Sequence, residues 1–346
     1  MAPIKNTKSG FYSLFADKLE THSVTNVIGE THSTTEVFEP GNGYRYLIYT
    51  SPGSLTVNRS GKVDLLLVGG GGAGGNGEFY PPSAYYAGGG GGAGGVYESF
   101  LFTFPVGDYT ISVGDGGAIS PTPTGGLPGT NRDGSPGSPT DISGPTITTI
   151  TAYGGGGGGG SYDYPSKPAG DAGDGGSGGG SSLNSGGAGV GNRTTSIAPA
   201  DGSPIPSYLQ GEGKPQGSPG SRSGVTFTGG GGGGAGATGS PQYYGGVGRS
   251  VWTNDGGIPP SYGTPGPTPG RWFAGGGGGG VNSNVPLETG GAGGGGRGAD
   301  SRPTFTQTST AGTVNTGGGG GGGYGYGNAS PGGSGIVIIR YRVAVN

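Results

Sequence analysis

The order of apolar and polar residues predicts β-strands near both ends of the chain. In the first half, alternating or continuous apolar patterns predict strands at 44–49, 54–57, 62–68, 96–104, 109–113 and 147–153. At the other end, residues 336–339 form a continuous apolar run, and the pattern then alternates. The run at 65–68 is typical of a strand buried on both faces. We expect a small antiparallel sheet or sandwich within residues 41–153, closed by a last strand at 336–345.

Between and beyond these strands the chain is dominated by runs of six to eight small residues, nearly all glycine. The runs lie at 69–75, 88–95, 154–160, 175–180, 229–236, 275–280, 290–296 and 317–323. Their lengths are nearly constant, whereas the segments between them differ in length and are rich in Tyr, Pro, Ser, Asn and Thr, which is typical of surface loops. A flexible linker has no reason to keep the run length constant.

Constant run length indicates an ordered layer of fixed thickness. In the polyproline-II geometry seven residues span roughly 22 Å, with no hydrogen bonds inside the segment. Each backbone N–H and C=O must therefore be satisfied by a neighbour, and only glycine lets such segments approach closely enough. We expect a bundle of polyglycine-II segments over residues 69–335, joined to the sheet. The predicted fold class is mostly irregular and β, with essentially no α-helix.

Composition supports this interpretation and excludes several classes of protein. The chain has 96 glycines and 28 prolines among 346 residues, and only 28% of its residues are hydrophobic, so a layered core of amphipathic helices cannot form. The net charge of −3 comes from scattered charges, which argues against a nucleic-acid partner. There is no cysteine, and the N-terminus lacks the apolar stretch of a secretion signal, so we expect synthesis without one.

Residues 1–40 differ in composition from the rest of the chain and are predicted to anchor it on another protein. They contain almost no glycine and carry an apolar group that is the candidate contact surface: Phe11, Tyr12, Leu14, Phe15 and Leu19. Residues 41–346 are predicted to form the glycine-rich domain.

Aromatic residues in the variable loops are the candidate binding residues. Tyr and Trp give a large contact area at low entropic cost and suit flat sugar faces or protein epitopes. The alternative is that these rings cap the ends of a bundle that is short of Leu and Ile. The candidates are Phe79, Tyr80, Tyr85, Tyr86, Tyr162, Tyr164, Tyr243, Tyr244, Trp252, Tyr262, Trp272 and Phe273, to which Tyr324 and Tyr326 can be added.

The sequence offers little for catalysis or for a cofactor. His22 and His32 are the only histidines, and isolated histidines in Thr/Ser-rich sequence are usually polar surface, so no metal and no cofactor is assigned. Gly211-Glu212-Gly213-Lys214-Pro215 lacks the Ser or Thr that a phosphate loop requires after its lysine. Acids and bases are sparse and form no catalytic pattern. We expect a protein that is not an enzyme.

Four stretches of this sequence resemble a known family. They are Val63–Gly72 followed by 88–96, then Tyr109–Gly117, and finally Gly333–Tyr341. Together they resemble the glycine-rich domain found in many tailed-phage proteins, those of marine phages and cyanophages especially. The expected bundle is also similar in principle to the polyglycine-II tail-fibre adhesins of T-even-type phages, whose tip loops choose the host receptor.

The resemblance implies a virion protein on a tail fibre or another external surface, with host recognition in its loops. The implied partners are other virion proteins, contacted through residues 1–40, and a host cell-surface glycan or outer-membrane protein. A homotrimer and a monomer capping a trimeric fibre both remain open. One alternative is a capsid-decorating or tail protein with a spacer or protective role. Another is an ice-binding protein, which short regular Gly-x-x repeats and a flat Thr/Ala face would favour.

Overall fold

The fold is described by a computed structural model of the chain. The described residues are 28–34, 36–80, 84–120, 132–161, 172–182, 222–223, 226–240, 243–252, 257–281, 290–302, 305–325 and 327–343. Within these ranges the chain forms strands and extended glycine segments, and no α-helix. The predicted fold class is therefore confirmed.

Eighteen strands account for the regular secondary structure of the described residues. In chain order they are β1 Gly29–Ser33, β2 Glu36–Phe38, β3 Tyr44–Tyr49, β4 Gly53–Arg59, β5 Gly61–Val68, β6 Glu78–Tyr80, β7 Ala84–Tyr86, β8 Val96–Phe104, β9 Gly107–Ser112, β10 Thr140–Gly144, β11 Ile147–Ala152, β12 Arg222–Ser223, β13 Thr226–Phe227, β14 Arg249–Val251, β15 Arg271–Phe273, β16 Asp300–Arg302, β17 Phe305–Gln307 and β18 Ile336–Arg342.

Ten of these strands form two antiparallel five-stranded sheets, which pack face to face as a sandwich. The first sheet has the order β1-β4-β9-β10-β11 and the second β2-β3-β18-β5-β8. Strand β18 lies in the middle of the second sheet, where Ile338 is opposite both Ile48 and Leu66. The remaining strands form four two-stranded antiparallel sheets.

The second sheet is buried on both faces, which explains its continuous apolar runs. Leu65 and Leu67 point towards the first sheet and share a core with residues such as Ile111. The intervening Leu66 and Val68 point the other way, into a second core. Strand β18 divides its side chains between the two cores in the same alternating manner.

The strands agree closely with the sequence prediction. All seven predicted strands are present, as β3, β4, β5, β8, β9, β11 and β18. Two of them, β3 and β8, have the predicted bounds, and the other five differ by a few residues at their ends, whereas β1, β2, β10 and the strands of the two-stranded sheets were not predicted. Strands β1 and β2 lie within residues 1–40 and pair with β4 and β3, so strand pairing begins before residue 41. Residues 1–27 lie outside the described residues, and their anchoring role stays a prediction.

The segment at 69–76 shows how the glycine runs are ordered. Each of its backbone N–H groups donates to a carbonyl oxygen of another segment, and the partner segment repeats every third residue. This is the period of a polyglycine-II helix. For the N–H groups of residues 69 to 76 in turn, the acceptors, at 2.8–3.0 Å, are the carbonyl oxygens of Gly95, Ser138, Gly333, Gly92, Ser135, Ser330, Gly89 and Arg132.

The carbonyl groups of the same segment contact three further neighbours. They accept hydrogen bonds from Gly117 and from residues of the segments 155–161 and 320–323. The segment is thus enclosed by six others, which is hexagonal packing. Its neighbour 88–95 also has six, because it bonds to 69–75, 153–159, 177–180, 230–233, 277–280 and 317–323. The expected polyglycine-II bundle is present, and these two segments lie in its interior.

Segments at the rim of the bundle follow a different sequence rule. In 132–139, Gly134 and Gly137 face the bundle, since a Cβ on them would lie 2.2 and 2.1 Å from the carbonyl oxygens of Ala73 and Gly70. The residues between and after them, Ser135, Pro136, Ser138 and Pro139, are exposed. Because the segment has three residues per turn and one inward face, only every third residue must be glycine.

The bundle has two different ends. At the sandwich end, β5 leads into Gly69 and Gly95 leads into β8. At the opposite end, which we call the loop end, Asn76 and Gly88 are joined by the β6–β7 hairpin. The described residues that precede the gaps at 121–131, 162–171, 183–221 and 282–289 lie at the loop end, next to Asn76 or the segment 88–90. The sandwich end has short turns such as 313–316 and one longer connection, from β14 to β15.

Candidate functional site

The loop end of the bundle is organised around Asn76, the residue that ends the central glycine run. Its side-chain amide donates to the carbonyl oxygen of Ser120 at 2.9 Å, and its Oδ1 accepts from the N–H of Ala329 at 2.8 Å. Its backbone donates to Arg132 and accepts from both the N–H and the hydroxyl of Ser161. Asn76 is buried, and these bonds fix the ends of four surrounding segments relative to one another.

An ion pair between Arg132 and Glu78 lies next to Asn76. The guanidinium of Arg132 lies 3.0 Å from a carboxylate oxygen of Glu78 and also donates to the carbonyl oxygen of Gly77 at 3.2 Å. Both side chains are nearly buried. The neighbouring Asp133 accepts a hydrogen bond from the N–H of Gly160 at 2.7 Å through its carboxylate. The base of the loops is therefore held by side chains as well as by the glycine lattice.

The rings of Tyr243 and Tyr244 contact each other in a tilted arrangement at this end. Their ring centroids are 4.5 Å apart with an interplanar angle of 43°, and the hydroxyl of Tyr243 donates to that of Tyr244 at 3.4 Å. The pair is fixed to the lattice, because the carbonyl oxygen of Tyr243 accepts from Gly279 and that of Tyr244 accepts from Ser240. Both residues are half-buried.

The hydroxyl of Tyr243 holds its proton more tightly than a free tyrosine does. Burial, together with the hydrogen bond to Tyr244, raises the pKa of Tyr243 to about 12. A pair of aromatic rings in contact is suited to bind an apolar or sugar face. Tyr86, also at the loop end, is half-buried, and its carbonyl oxygen accepts from the N–H of Gly325.

A second group of predicted binding residues lies at the sandwich end instead. Trp252 and Phe273 are buried in the core behind the second sheet, with 3% and 0% of their surfaces exposed. This corrects the expectation that they contact a ligand, since they cover the outer face of Ile338 and its neighbours. For these two rings the packing alternative is the better description.

Trp252 and Phe273 belong to a unit that covers the second sheet, which we define as residues 249–252 and 257–273 and call the covering unit. Tyr262 and Trp272 belong to it as well and are half-buried. The hydroxyl of Tyr262 is hydrogen-bonded to Glu36, and the indole N–H of Trp272 donates to the carbonyl oxygen of Thr268 at 3.0 Å. The Trp272 ring lies against Gly266, where a Cβ would be 2.3 Å from its atoms. Tyr324 is buried at the loop end beside Ala87 and Ala299.

The other predicted residues cannot be assigned contacts. Phe79, Tyr80 and Tyr85 lie on the described strands β6 and β7, but their side chains are outside the described part. Also outside the described residues are the binding candidates Tyr162, Tyr164 and Tyr326 and the anchoring candidates Phe11, Tyr12, Leu14, Phe15 and Leu19. Their roles stay predictions.

Sequence reasoning missed Asn76 and Arg132, which organise the loop end. The position of Asn76 could have indicated its role. It directly follows the uninterrupted Gly/Ala run 69–75, and unlike the residues of that run it has a hydrogen-bonding side chain. Arg132 gave no comparable signal. It comes close to Glu78 only because the segments 69–76 and 132–139 are antiparallel neighbours in the lattice.

A buried charged network ties the covering unit to the second sheet. Arg340 pairs with Asp64 at 2.9 Å, and its guanidinium lies 4.5 Å from the centroid of the Trp252 ring. Glu98 pairs with Arg249 at 3.1 Å. Burial raises the pKa of Glu98, and the charge of Arg249 opposes that shift. The network stabilises the covering unit on the second sheet, away from the loop end.

Among the described residues, no group of three or more His, Cys, Asp or Glu side chains could hold a metal ion. The same part of the chain contains no helix that is long and apolar enough to span a membrane.

Comparison with known protein families gives one match. The sequence pattern of the family described as the glycine-rich domain matches residues 50–342, which is most of the chain. No curated protein matches the chain. The matched range includes the whole glycine lattice and every strand of the sandwich except β1, β2 and β3, which precede residue 50.

Proposed function

We propose that this chain, which belongs to the glycine-rich domain family, is a non-enzymatic structural protein of a tailed-phage particle that recognises the host surface with its loop end. The division of the molecule between its two ends carries the proposal. One end is a closed sandwich on which the covering unit packs. At the other end begin several long segments of differing length, together with the tyrosines of the β6–β7 hairpin and of residues 243–244.

The lattice is suited to present those segments. Each interior glycine segment is held by neighbours on all sides, so the base of every loop is fixed by backbone hydrogen bonds. Binding residues placed on a rigid scaffold lose little entropy on binding, and the loops can vary without altering the fold. Long insertions at one end of a bundle cost little stability for the same reason.

The described aromatic pair at the loop end supports recognition of a glycan or a protein epitope. The rings of Tyr243 and Tyr244 are in contact, and both residues are bonded to the lattice through their backbone. Aromatic rings of this kind contact flat sugar faces and protein surfaces. The proposed partner is a cell-surface glycan or an outer-membrane protein of the host.

The sandwich end is proposed to face the particle. The described chain begins there at Ile28, which is buried in the sandwich core, so the preceding residues 1–27 join the fold at this end. In this arrangement the anchor and the recognition loops are separated by the length of the bundle. A fibre tip requires that separation.

The test is binding of the purified chain to a panel of bacterial cells and to a glycan array. We expect binding to the cells of a susceptible host and slower adsorption of a phage that carries the same chain. The double variant Tyr243→Ala/Tyr244→Ala should lose at least tenfold in affinity. Val314→Ala, at an exposed turn of the sandwich end, is the control and should bind like the parent chain.

A capsid-decorating or spacer role gives the opposite result. In that case the purified chain binds no cell or glycan and leaves adsorption unchanged, while the particle still contains it. Equal loss of binding in the Val314 variant would contradict the assignment of recognition to the loop end.

A further inference from the structure

Two large apolar residues are exposed next to each other on the edge of the second sheet. Phe100 and Leu101, in the edge strand β8, are 47% and 62% exposed. The pairing of β8 with β5 is irregular here, because Val63 pairs with Phe102 and Leu65 pairs with Ser99. Phe100 and Leu101 are therefore both opposite Asp64 in a bulge.

The exposed position of Leu101 is imposed by its backbone and by a buried charge. Its φ of 55° lies in the left-handed region, which is unfavourable for a bulky residue. Its N–H donates to one carboxylate oxygen of Asp64 at 3.0 Å, and the other carboxylate oxygen pairs with Arg340 at 2.9 Å. An ion pair fixed in the sheet thus holds two apolar side chains outward.

The bulge also determines what can cover this patch, which we define as Phe100 and Leu101. A β-bulge interrupts the row of backbone groups that an added strand would need. An occupant must therefore cover the side chains themselves, as a segment with its own apolar residues would.

Such a segment joins the fold close to the patch. Ile28, the first described residue, is buried, and its Cα lies 2.7 Å from the position of a Cβ on Gly61. Gly61 is paired with Phe104, which is in the same strand as the patch. The chain that precedes Ile28 therefore arrives beside the end of β8.

The preceding residues have the required composition and reach. Phe11, Tyr12, Leu14, Phe15 and Leu19 are the apolar cluster of residues 1–27. The nine residues from Leu19 to Ile28 can span about 30 Å. Leu101 is only three residues along the strand from Phe104, or roughly 10 Å.

We propose that residues 11–19 of the same chain fold back over the edge of the second sheet and cover Phe100 and Leu101. The occupant is the chain's own N-terminal segment, and the contact is an apolar one. This inference concerns the free protein and does not depend on the proposed host recognition.

Because the chain contains no cysteine, the contact can be tested by a single engineered disulfide. The full-length variant Phe15→Cys/Leu101→Cys is oxidised at low protein concentration and compared with Phe15→Cys/Val314→Cys. Val314 is 67% exposed and lies in a turn at the sandwich end rather than on β8, so it controls for non-specific collisions. We expect an intrachain disulfide in the first variant, at a yield at least fivefold above the control.

Mixing tagged and untagged chains separates the possible occupants. Disulfides only between chains would show that a second copy covers the patch, and would overturn the proposal. A yield no higher than the control would overturn it as well.

A labelling experiment on the full chain gives an independent readout. In Leu101→Cys, the reaction of the thiol with a maleimide is measured with and without the triple change Phe11→Ser/Phe15→Ser/Leu19→Ser. We expect labelling at least fivefold faster when the three apolar residues are replaced, with the fold unchanged by circular dichroism. Equal labelling rates would contradict the contact.

Discussion

Gly91 packs so closely against Gly72 that a Cβ on Gly91 would lie 2.1 Å from the carbonyl oxygen of Gly72. The same contact recurs through the lattice, because interior glycines face a carbonyl group of the neighbouring segment at about this distance, as Gly74 does at 2.2 Å from the oxygen of Gly321. Interior glycines are thus packing residues, as large side chains are in an ordinary core.

A methyl group at the centre of the lattice should therefore act as an overpacking mutation. We expect Gly91→Ala to lower the free energy of unfolding by about 2–3 kcal/mol, because the contact is to backbone that cannot move alone. Chemical denaturation followed by far-UV circular dichroism measures this change. A variant as stable as the parent chain would show that the lattice has room for a methyl group at residue 91.

The rim of the lattice offers a matched pair of substitutions in adjacent residues. A Cβ on Gly137 would lie 2.1 Å from the carbonyl oxygen of Gly70, whereas the side chain of Ser138 is exposed. We expect Gly137→Ala to destabilise the protein by about 1–3 kcal/mol, and Ser138→Ala to change stability by less than about 0.5 kcal/mol. Equal effects would contradict the three-residue period of the segment.

Much of this fold was predictable from the sequence, since long apolar strands next to constant glycine runs leave few alternatives. Strand β10 was missed because its buried side chains are only Thr140 and Ile142. Thr140 is buried since its hydroxyl donates to the carbonyl oxygen of Val68 and accepts from the N–H of Gly114, which is not visible in an apolar pattern.

The rim segments were also missed, for a related physical reason. A segment with one inward face needs glycine only at every third residue, so the sequence of 132–139 looks like that of an ordinary Ser/Pro loop.

The composition of the loops did not predict which candidate binding residues lie at the loop end and which lie at the sandwich end. Whether a ring such as Phe273 is covered depends on which end of the bundle its loop leaves from.

Proline at the rim should prevent the lattice from growing sideways. In 132–139 the N–H groups of Gly134, Ser135, Gly137 and Ser138 bond to neighbouring segments, and the third position of each turn is the exposed Pro136 or Pro139. Proline has no N–H to offer at these outward positions. This corresponds to the protection of edge strands in β-sheets.

Replacing both prolines by glycine should therefore promote association between molecules. We expect Pro136→Gly/Pro139→Gly to form concentration-dependent oligomers in size-exclusion chromatography with light scattering. Ser135→Gly/Ser138→Gly is the control with the same gain of glycine and should keep the parent's mass. Identical behaviour of the two double variants would show that the prolines do not limit association.

The buried pair of Arg340 and Asp64 should contribute strongly to stability. Asp64→Ala leaves Arg340 buried without this partner and removes the acceptor for the N–H of Leu101, so we expect a loss of about 3 kcal/mol. The control is Glu39→Ala, which breaks the exposed pair with Arg45 at 3.1 Å and should cost less than about 1 kcal/mol. Thermal unfolding distinguishes the two, and similar losses would contradict the prediction.

The alkaline limit of stability should depend on buried tyrosines. Burial, and to a lesser degree the charge of Glu30, raises the pKa of Tyr49 well above its ordinary value of 10.0. The folded state therefore holds this proton more tightly than the unfolded state. The resulting stability is complete below pH 10 and is lost as the pH rises towards the folded-state pKa.

Tyr49→Phe should reduce this dependence. We expect the free energy of unfolding of the parent to fall more steeply above pH 10 than that of the variant, by up to about 1.4 kcal/mol per pH unit. Urea denaturation at pH 9, 10 and 11 measures both slopes. Equal slopes would show that Tyr49 ionises without unfolding.

Hydrogen exchange of the glycine amides tests the central claim most directly. Every N–H of 69–76 and 88–95 donates to a neighbouring segment, so these amides open only when the lattice opens. We predict that they exchange as slowly as the amides of β18, in peptides resolved by mass spectrometry or by NMR. If they exchange within the dead time while β18 stays protected, the glycine runs are linkers and the packed lattice does not exist.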